Sequence, residues 1–311
     1  MTIAELVTTL KENDNFMLLT HTRPDGDTLG SAVALCHALR RMGKMADLFP
    51  NPEITDSFRP FVKDYLATQE LSDTFNISID TASEDMLPVG FFGEVMACVD
   101  HHASNTLYAQ ETLLDTSKSA CGEIIVQIIE ELCGNLEPEE AEPLYIAVST
   151  DTGCFVYANT TPDSLRCAAH LIECGANNGK LNKLLFRSNS FARIKITGML
   201  YLNMKSYADG KINVAVITLD MMDEAGATEN DCDDLASLAG NVAGNVVAIT
   251  VREISKNSCK ASVRTNQTVN ANAICAAFGG GGHPMASGCR ADLPPEEFAK
   301  QLAEEAIKAL G

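Results

Sequence analysis

The densest chemistry in the sequence is His21-Thr22-Arg23-Pro24-Asp25-Gly26-Asp27, where an imidazole and two carboxylates fall at i, i+4 and i+6. In a tight loop relaxed by Gly26 these groups can face one crevice, and such a mixed nitrogen and oxygen donor set suits a divalent metal. The same residues also spell a Pro-Asp-Gly turn whose Asp27 caps the following helix. An EF-hand is excluded, because the later ligands are missing and position 36 is Cys rather than Glu.

Further donors stand after other apolar runs. Asp80 closes the run 76–80, Asp100-His101-His102 follows 94–99, and Asp151 follows 144–148. A lone Asp at a strand end is commonly a loop or cap residue. Three polar groups directly after an apolar strand are less ordinary, because they place costly groups beside the core. His21, His101 and His102 lie in these motifs and His283 in a glycine cluster. His37 and His170 fall on expected helices and read as structural.

To gather such residues the chain needs parallel strands that end at one edge. Residues 2–12 read as a short helix, 16–19 as a strand, and 29–42 as a helix with Ala32, Leu35, Cys36 and Leu39 at helical spacing and Gly43 as its stop. Strand-like runs recur at 45–49, 76–80 and 94–99, and helices at 119–134, 138–150 and 162–175. The alternation predicts an α/β fold whose largely parallel sheet is flanked by helices. Ligands of such sheets bind beyond the carboxyl ends of the strands, where four loops would bring the donors together.

A helical connector is expected over 176–209, carrying Lys180, Lys183, Arg187, Arg193, Lys195 and Lys205 with no acid before 208. It reads as a solvated face, a phosphate-facing wall or a homodimer contact. A second, smaller α/β pattern follows: a strand at 212–218, a helix near 231–242, strands at 246–254 and 259–264, a helix from 270, the glycine cluster and a closing helix at 295–310. The expected domains are therefore 1–175 and 210–311, joined by the connector.

The chain has 311 residues, with 42 acids against 23 bases, and the formal charge of −19 repels long polyanions. A DNA-coating role is excluded. No segment reaches the roughly 18 uninterrupted apolar residues of a membrane span, and the first fifteen residues lack a signal-peptide core. Eleven dispersed Cys without a C-x-x-C pair fit free thiols in a cytoplasmic protein with no membrane association.

His21-x3-Asp25-Gly-Asp27, Asp80, Asp100-His101-His102 and Asp151 together resemble, in order and spacing, the four motifs of the DHH phosphoesterase superfamily. Asp73 and Asp85 also lie near the second motif, but Asp80 alone ends an apolar strand. The run 279–288, Gly-Gly-Gly-Gly-His-Pro-Met-Ala-Ser-Gly, resembles the signature of the DHHA1 substrate-binding domain. The resemblance covers essentially the whole chain and is nearest to the stand-alone oligoribonuclease (nanoRNase) and pAp-phosphatase branch.

The resemblance implies two divalent metals. His21, Asp25 and Asp80 would hold one, and Asp27, Asp80, His101 and Asp151 the other, with Asp80 shared. Mixed imidazole and carboxylate ligation favours Mn²⁺ over Mg²⁺, and such a pair would activate a water for in-line attack on phosphorus. His102 would stabilise the scissile phosphate or protonate the leaving oxygen, and Asp100 would orient an imidazole. Gly280, Gly281, Gly282 and His283 have the character of an anion cradle, with a flexible hinge as the plainer reading. Arg264 is similar in position to a substrate-binding arginine of such domains. A cleft with metals on one wall and the cradle on the other would admit short single-stranded RNA, pAp or a dinucleotide and exclude duplex DNA.

By the same resemblance the products are 5′-mononucleotides and, from pAp, the nucleotide without its 3′-phosphate. The rivals are a cyclic or linear dinucleotide (c-di-AMP or pApA) phosphodiesterase, an inorganic pyrophosphatase, and a non-catalytic nucleotide-binding sensor. The pyrophosphatase lacks its basic Arg-Lys-Lys-Gln type run here, and loss of Asp27, Asp80 or Asp151 would have favoured the sensor.

Overall fold

The computed structural model describes residues 1–68, 73–232, 235–266 and 268–311 and divides into two compact units, Met1–Ser188 and Asn189–Gly311. The division falls inside the stretch 176–209 expected as a connector.

Unit 1 runs α1 (Ile3–Glu12), β1 (Phe16–Leu19), α2 (Gly26–Arg41), β2 (Ala46–Leu48), α3 (Arg59–Val62), β3 (Phe75–Ile79), β4 (Ala97–Asp100), β5 (Glu111–Leu114), α4 (Cys121–Cys133), α5 (Pro138–Asp151), α6 (Pro162–Glu173) and α7 (Asn178–Phe186). Its five strands are all parallel, in the order β2-β1-β3-β4-β5. The chain leaves β1 toward β2 on one side and then returns to β3 on the other. The topological switch point, where a crevice opens at the carboxyl edge of such a sheet, therefore lies between β1 and β3.

Alternation decides the two faces of the sheet. Phe16 and Leu18 of β1 join the main core with α2, α4 and α5, while Met17 and Leu19 face a smaller cluster with Val95, Phe49 and Phe91. Close approach of two helices fixes the geometry near the switch point. A Cβ on Gly30 would lie 2.2 Å from the carbonyl oxygen of Pro143, and one on Gly26 would lie 2.3 Å from Thr150 Oγ1. Only glycine lets α2 lie this close to α5, and Pro143, having no N–H to donate, sits inside α5 at that contact. Gly26 is thus a packing glycine on the first turn of α2 rather than the relaxant of a loop, and α2 begins three residues earlier than the apolar periodicity indicates.

Unit 2 runs α8 (Phe191–Asn203), β6 (Lys205–Tyr207), β7 (Ile212–Ile217), α9 (Leu219–Ala225), β8 (Val247–Ser255), β9 (Ser258–Thr265), α10 (Ala271–Ala276), β10 (Gly281–His283), β11 (Ala286–Ala291) and α11 (Pro295–Leu310). Its mixed sheet has the order β10-β11-β9-β8-β7-β6, with β7 and β8 parallel and the other pairs antiparallel. One face packs Val247, Ile249 and Val263 on Phe298 and Leu302 of α11; the other packs Ala215 and Ile217 on Ile196 and Leu200 of α8.

Three expectations change here. The helix near 231–242 is two 3-10 stretches, Asn230–Cys232 and Leu235–Asn241, with 233–234 outside the described residues. Asp231 turns its carboxylate back to Thr228 N–H and to Ser190, a local bond that competes with helix formation. The connector is not wholly helical, because Lys205–Tyr207 pairs with β7. The glycine cluster forms β10 and pairs with β11 instead of remaining a loop. No helix among the described residues is long and apolar enough to cross a membrane, and the eleven cysteines form no disulfide.

Candidate metal centre

β1 delivers His21, β3 delivers Asp80, β4 delivers Asp100, His101 and His102, and the last turn of α5 delivers Asp151. Three loops and one helix end therefore meet, where four loops were expected. The donor atoms form three overlapping groups that could each hold a metal ion: His21 with Asp25 and Asp80, Asp27 with His101 and Asp151, and Asp80 with His101 and His102.

Asp80 occupies the middle. Its backbone is left-handed, at φ 55°, an uncommon state for a non-glycine residue. The surroundings hold it there: Asp80 N–H donates to Val99 O at 2.8 Å, and the Thr28 hydroxyl donates to Ile79 O at 2.8 Å. The carboxylate then points two ways, with Oδ2 3.9 Å from His21 Nε2 and Oδ1 3.4 Å from His101 Nε2. His21 Nε2 also lies 3.6 Å from Asp25 Oδ1, and His101 Nε2 lies 3.6 Å from Asp27 Oδ2 and 3.8 Å from Asp151 Oδ2.

His101, Asp27 and Asp25 are each held by further bonds. His101 Nδ1–H donates to the carbonyl of Lys118 at 3.1 Å, which leaves Nε2 as the free lone pair directed into the cluster. Asp27 receives Cys121 N–H at 2.6 Å and Gly122 N–H at 2.9 Å, the open N-terminus of α4. That helix has no side-chain cap of its own, so Asp27 caps it from another element and its charge meets the positive helix end. The residue capping α2 is Asp25 rather than Asp27, accepting from Asp27 N–H at 3.0 Å and Thr28 N–H at 3.2 Å. Asp100 lies behind the cluster, fully buried, and accepts from His101 N–H, His102 N–H and His102 Nδ1–H at 2.7, 3.1 and 2.8 Å, and from Asn105 at 2.6 Å. The imidazole it orients is therefore His102.

The electrostatics follow from packing acids together out of water. Burial, aggravated by Asp151 and Asp25 and eased by His101, pushes Asp27 up to about 7. Burial and then Asp27 and Asp25 hold Asp80 well above the usual carboxylate range, and burial raises Asp151. Burial also works against Asp25 and Asp100. In Asp25 the hydrogen bond and charge of His21 outweigh it, and in Asp100 the bonds from His102 and Asn105 do, so both sit below the ordinary value. His102 is raised by its bond to Asp100.

A divalent cation fits this arrangement on two observations. Asp80 Oδ1 and His101 Nε2 are buried with no hydrogen-bond partner, although such atoms are rarely left orphaned. Both point into a cluster of acids that repel one another, and the donors are the imidazole and carboxylate types that first-row divalent ions accept.

The residues of unit 2 are held less firmly. Arg264 is exposed on β9, and its guanidinium donates to the carbonyl of Val263 at 3.2 Å. The register pairs Arg264 with Ala286 and Ala286 with His283, so Arg264 and His283 share one face two strands apart, about 10 Å. Gly280 and Gly282 are needed for the hairpin itself: a Cβ would lie 2.3 Å from Gly288 O and 2.7 Å from Ala286 O, respectively. Gly281 is exposed, and a Cβ on it would lie 3.7 Å from Asn272 Oδ1, an ordinary contact. The hinge reading gives way to a paired strand. Of the basic connector residues, Arg193, Lys195 and Lys205 are spent on Asp231 O, Glu224 O and Glu296.

The sequence reading missed Asn105, the Lys118 carbonyl and the N-terminus of α4. Asn105 stood three residues past the His pair and Gly122 at a helix start, but backbone donors and carbonyls carry no residue type to read.

Comparisons with known proteins bear on the family and the fold. Residues 15–148 match the model of the DHH family, N-terminal domain, and residues 210–310 match that of the DHHA1 domain. The bifunctional oligoribonuclease and PAP phosphatase NrnA of Thermus thermophilus is 32% identical over 303 residues, covering 94% of this chain and 90% of that protein. The Bacillus subtilis protein of the same name is 27% identical, covering 91% of each. Among solved structures, an exopolyphosphatase-related protein from Bacteroides fragilis superposes with a TM-score of 0.86 at 21% identity, over 98% of this chain and 95% of that one.

Proposed function

This chain belongs to the DHH family, with a DHH domain followed by a DHHA1 domain, and from that premise we propose that it is a metal-dependent phosphoesterase. Its substrates are short oligoribonucleotides, cut to 5′-mononucleotides, and pAp, from which it removes the 3′-phosphate. The observation that carries this reading is Asp80, whose two oxygens face the two halves of the cluster and whose Oδ1 is buried without a partner.

His21, Asp25 and Asp80 would hold one cation, and Asp27, Asp80, His101 and Asp151 another; Mn²⁺ would suit the mixed donors. When bound, the two cations neutralise the substrate phosphate and acidify a water for in-line attack. The chain's own residues do the rest. Asp100 fixes the Nδ1–H of His102 and raises its proton affinity, leaving Nε2–H of the imidazolium to protonate the leaving oxygen. Arg264 and His283 engage a second phosphate or the base from their shared sheet face, beside the exposed Gly281.

Neutralisation by cations also explains how a chain of net charge −19 accepts anionic substrates. Short single strands rather than duplex DNA are the partners, and eleven cysteines without a disulfide suit a reducing cytoplasm.

The test is to incubate purified protein with Mn²⁺, and separately with EDTA, with pAp, a five-nucleotide RNA and cyclic di-AMP. Metal-dependent release of mononucleotides from RNA and of AMP from pAp is expected. Cleavage of cyclic di-AMP alone moves the chain to dinucleotide signalling, and inactivity on all three leaves a nucleotide-binding sensor.

A further inference from the structure

The turn after Asp151 is built in a way that metal binding does not require. Gly153, Cys154 and Phe155 take φ values of 55°, 55° and 66° in succession, a left-handed run that is costly for a side chain and most unusual for an aromatic one. Bonds from all sides impose it. Cys154 N–H donates to Ser149 O at 2.6 Å, Phe155 N–H to Thr152 Oγ1 at 3.2 Å, and Val156 and Tyr157 N–H to Thr152 O at 3.0 Å each. The Phe155 ring docks edge-on against Tyr145, with centroids 6.3 Å apart. Asn159 ties the far end of the turn to the cluster, donating to Asp151 O at 3.1 Å and Ser119 O at 3.4 Å; the preceding carbonyl, of Lys118, is the one that holds His101. Strain maintained this thoroughly is found where a ligand is met.

What the turn displays is Tyr157. A Cβ built on Gly153 would lie 2.5, 2.5 and 2.6 Å from three carbons of the Tyr157 ring, so the ring lies flat over the α-carbon of Gly153. Even so, Tyr157 is 61% exposed. Gly153 is two residues from Asp151, about 7 Å of chain. A backed aromatic face held next to a catalytic centre offers base stacking at little cost in side-chain freedom.

We propose that Tyr157 is the platform on which the nucleobase of the substrate stacks, a specificity-determining residue that favours nucleotides over base-free phosphoesters. The assignment rests on the phosphoesterase reading above and names its substrate class more narrowly.

The test compares the Mn²⁺-loaded wild type, Tyr157→Phe and Tyr157→Ala on pAp and on the abasic sugar bisphosphate that keeps both phosphates. Calorimetric binding of AMP and the melting temperature are measured alongside. Tyr157→Ala is expected to raise KM for pAp roughly 5- to 150-fold and to weaken AMP binding in parallel, with Tyr157→Phe close to wild type and all three alike on the abasic ester. An unchanged KM for Tyr157→Ala, an equal loss on both substrates, or a loss in Tyr157→Phe as large as in Tyr157→Ala overturns the platform. A wild type inactive on both esters overturns the phosphoesterase reading instead, and AMP binding by the three proteins then decides the stacking role separately.

Discussion

The acid and histidine cluster of unit 1 and the glycine hairpin of unit 2 differ in how firmly their side chains are held. In the cluster Asp27, Asp80 and Asp100 are buried, and a helix end, a neighbouring carbonyl and one strained backbone aim Asp27, His101 and Asp80. On the hairpin face Arg264 and His283 are exposed, and the glycines serve the approach of two strands as much as any ligand. The difference separates chemistry from recognition. Groups that meet reacting atoms must not reorganise, so their positions are fixed by backbone contacts made on folding. Groups that meet the outer parts of a substrate tolerate motion and cost the fold little.

If the division is real, substitutions in the two regions should split between kcat and KM. The largest effect is expected from Asp80→Asn, which takes a charge from both halves of the cluster: hydrolysis should fall to the level of EDTA-treated protein. The same variant should melt higher than the wild type when both are metal-free, because it relieves a buried acid pressed by Asp27 and Asp25. Turnover near the wild-type level breaks the shared-ligand scheme. Next comes Asp100→Asn, expected to cost about 10- to 100-fold in kcat with KM little changed, as for other groups that orient an active-site imidazole. Loss of the carboxylate also removes what raises His102, so the alkaline limb of kcat should move to lower pH; a limb that stays put assigns the proton to another group. Smaller still is Arg264→Ala, for which KM should rise roughly tenfold, the worth of a charged hydrogen bond, while kcat stays. A collapse of kcat instead would place Arg264 with the cluster.

The two regions were also unequally legible in the sequence. The cluster could be read because its donors are rare residue types set directly after apolar strands, and continuous apolar runs and period-3.6 patterns identified those strands and the helices between them. The parallel order followed from alternation, and with it the common edge that gathers the motifs. What escaped was carried by backbone or by close packing: the helix end that meets Asp27, the Lys118 carbonyl behind His101, and Gly26 and Gly30, whose lack of a side chain draws α2 onto α5. Four consecutive glycines look the same whether they cradle an anion or close a hairpin. Only the pairing of Gly281, Gly282 and His283 with β11 distinguishes them. Asp25 takes the cap of α2 that was expected of Asp27, because a helix start can slip by a turn without altering its apolar pattern.

The least dramatic prediction tests whether the cluster was built for cations at all, and needs no turnover. Asp27 takes up its proton near pH 7 in the folded chain, against 3.8 for an ordinary aspartate, and Asp80 and Asp151 are displaced in the same direction. Between about pH 4 and 7 the folded metal-free protein therefore holds more protons than the unfolded chain. Its stability must fall as pH rises through that window, by up to about 1.4 kcal/mol per pH unit for one such group. In Asp27→Asn the proton is absent from both states, so the melting curve of the metal-free variant should decline less over the same range. Mn²⁺ should raise the wild-type melting temperature more at pH 7.5 than at pH 5, because at the lower pH it must displace protons to bind. The hairpin holds no comparable buried acid, so Arg264→Ala should leave the slope unaltered. Parallel curves for wild type and Asp27→Asn without metal would mean that the folded chain already satisfies these carboxylates by itself, and that the buried acids of unit 1 are no more waiting for a partner than the exposed residues of unit 2.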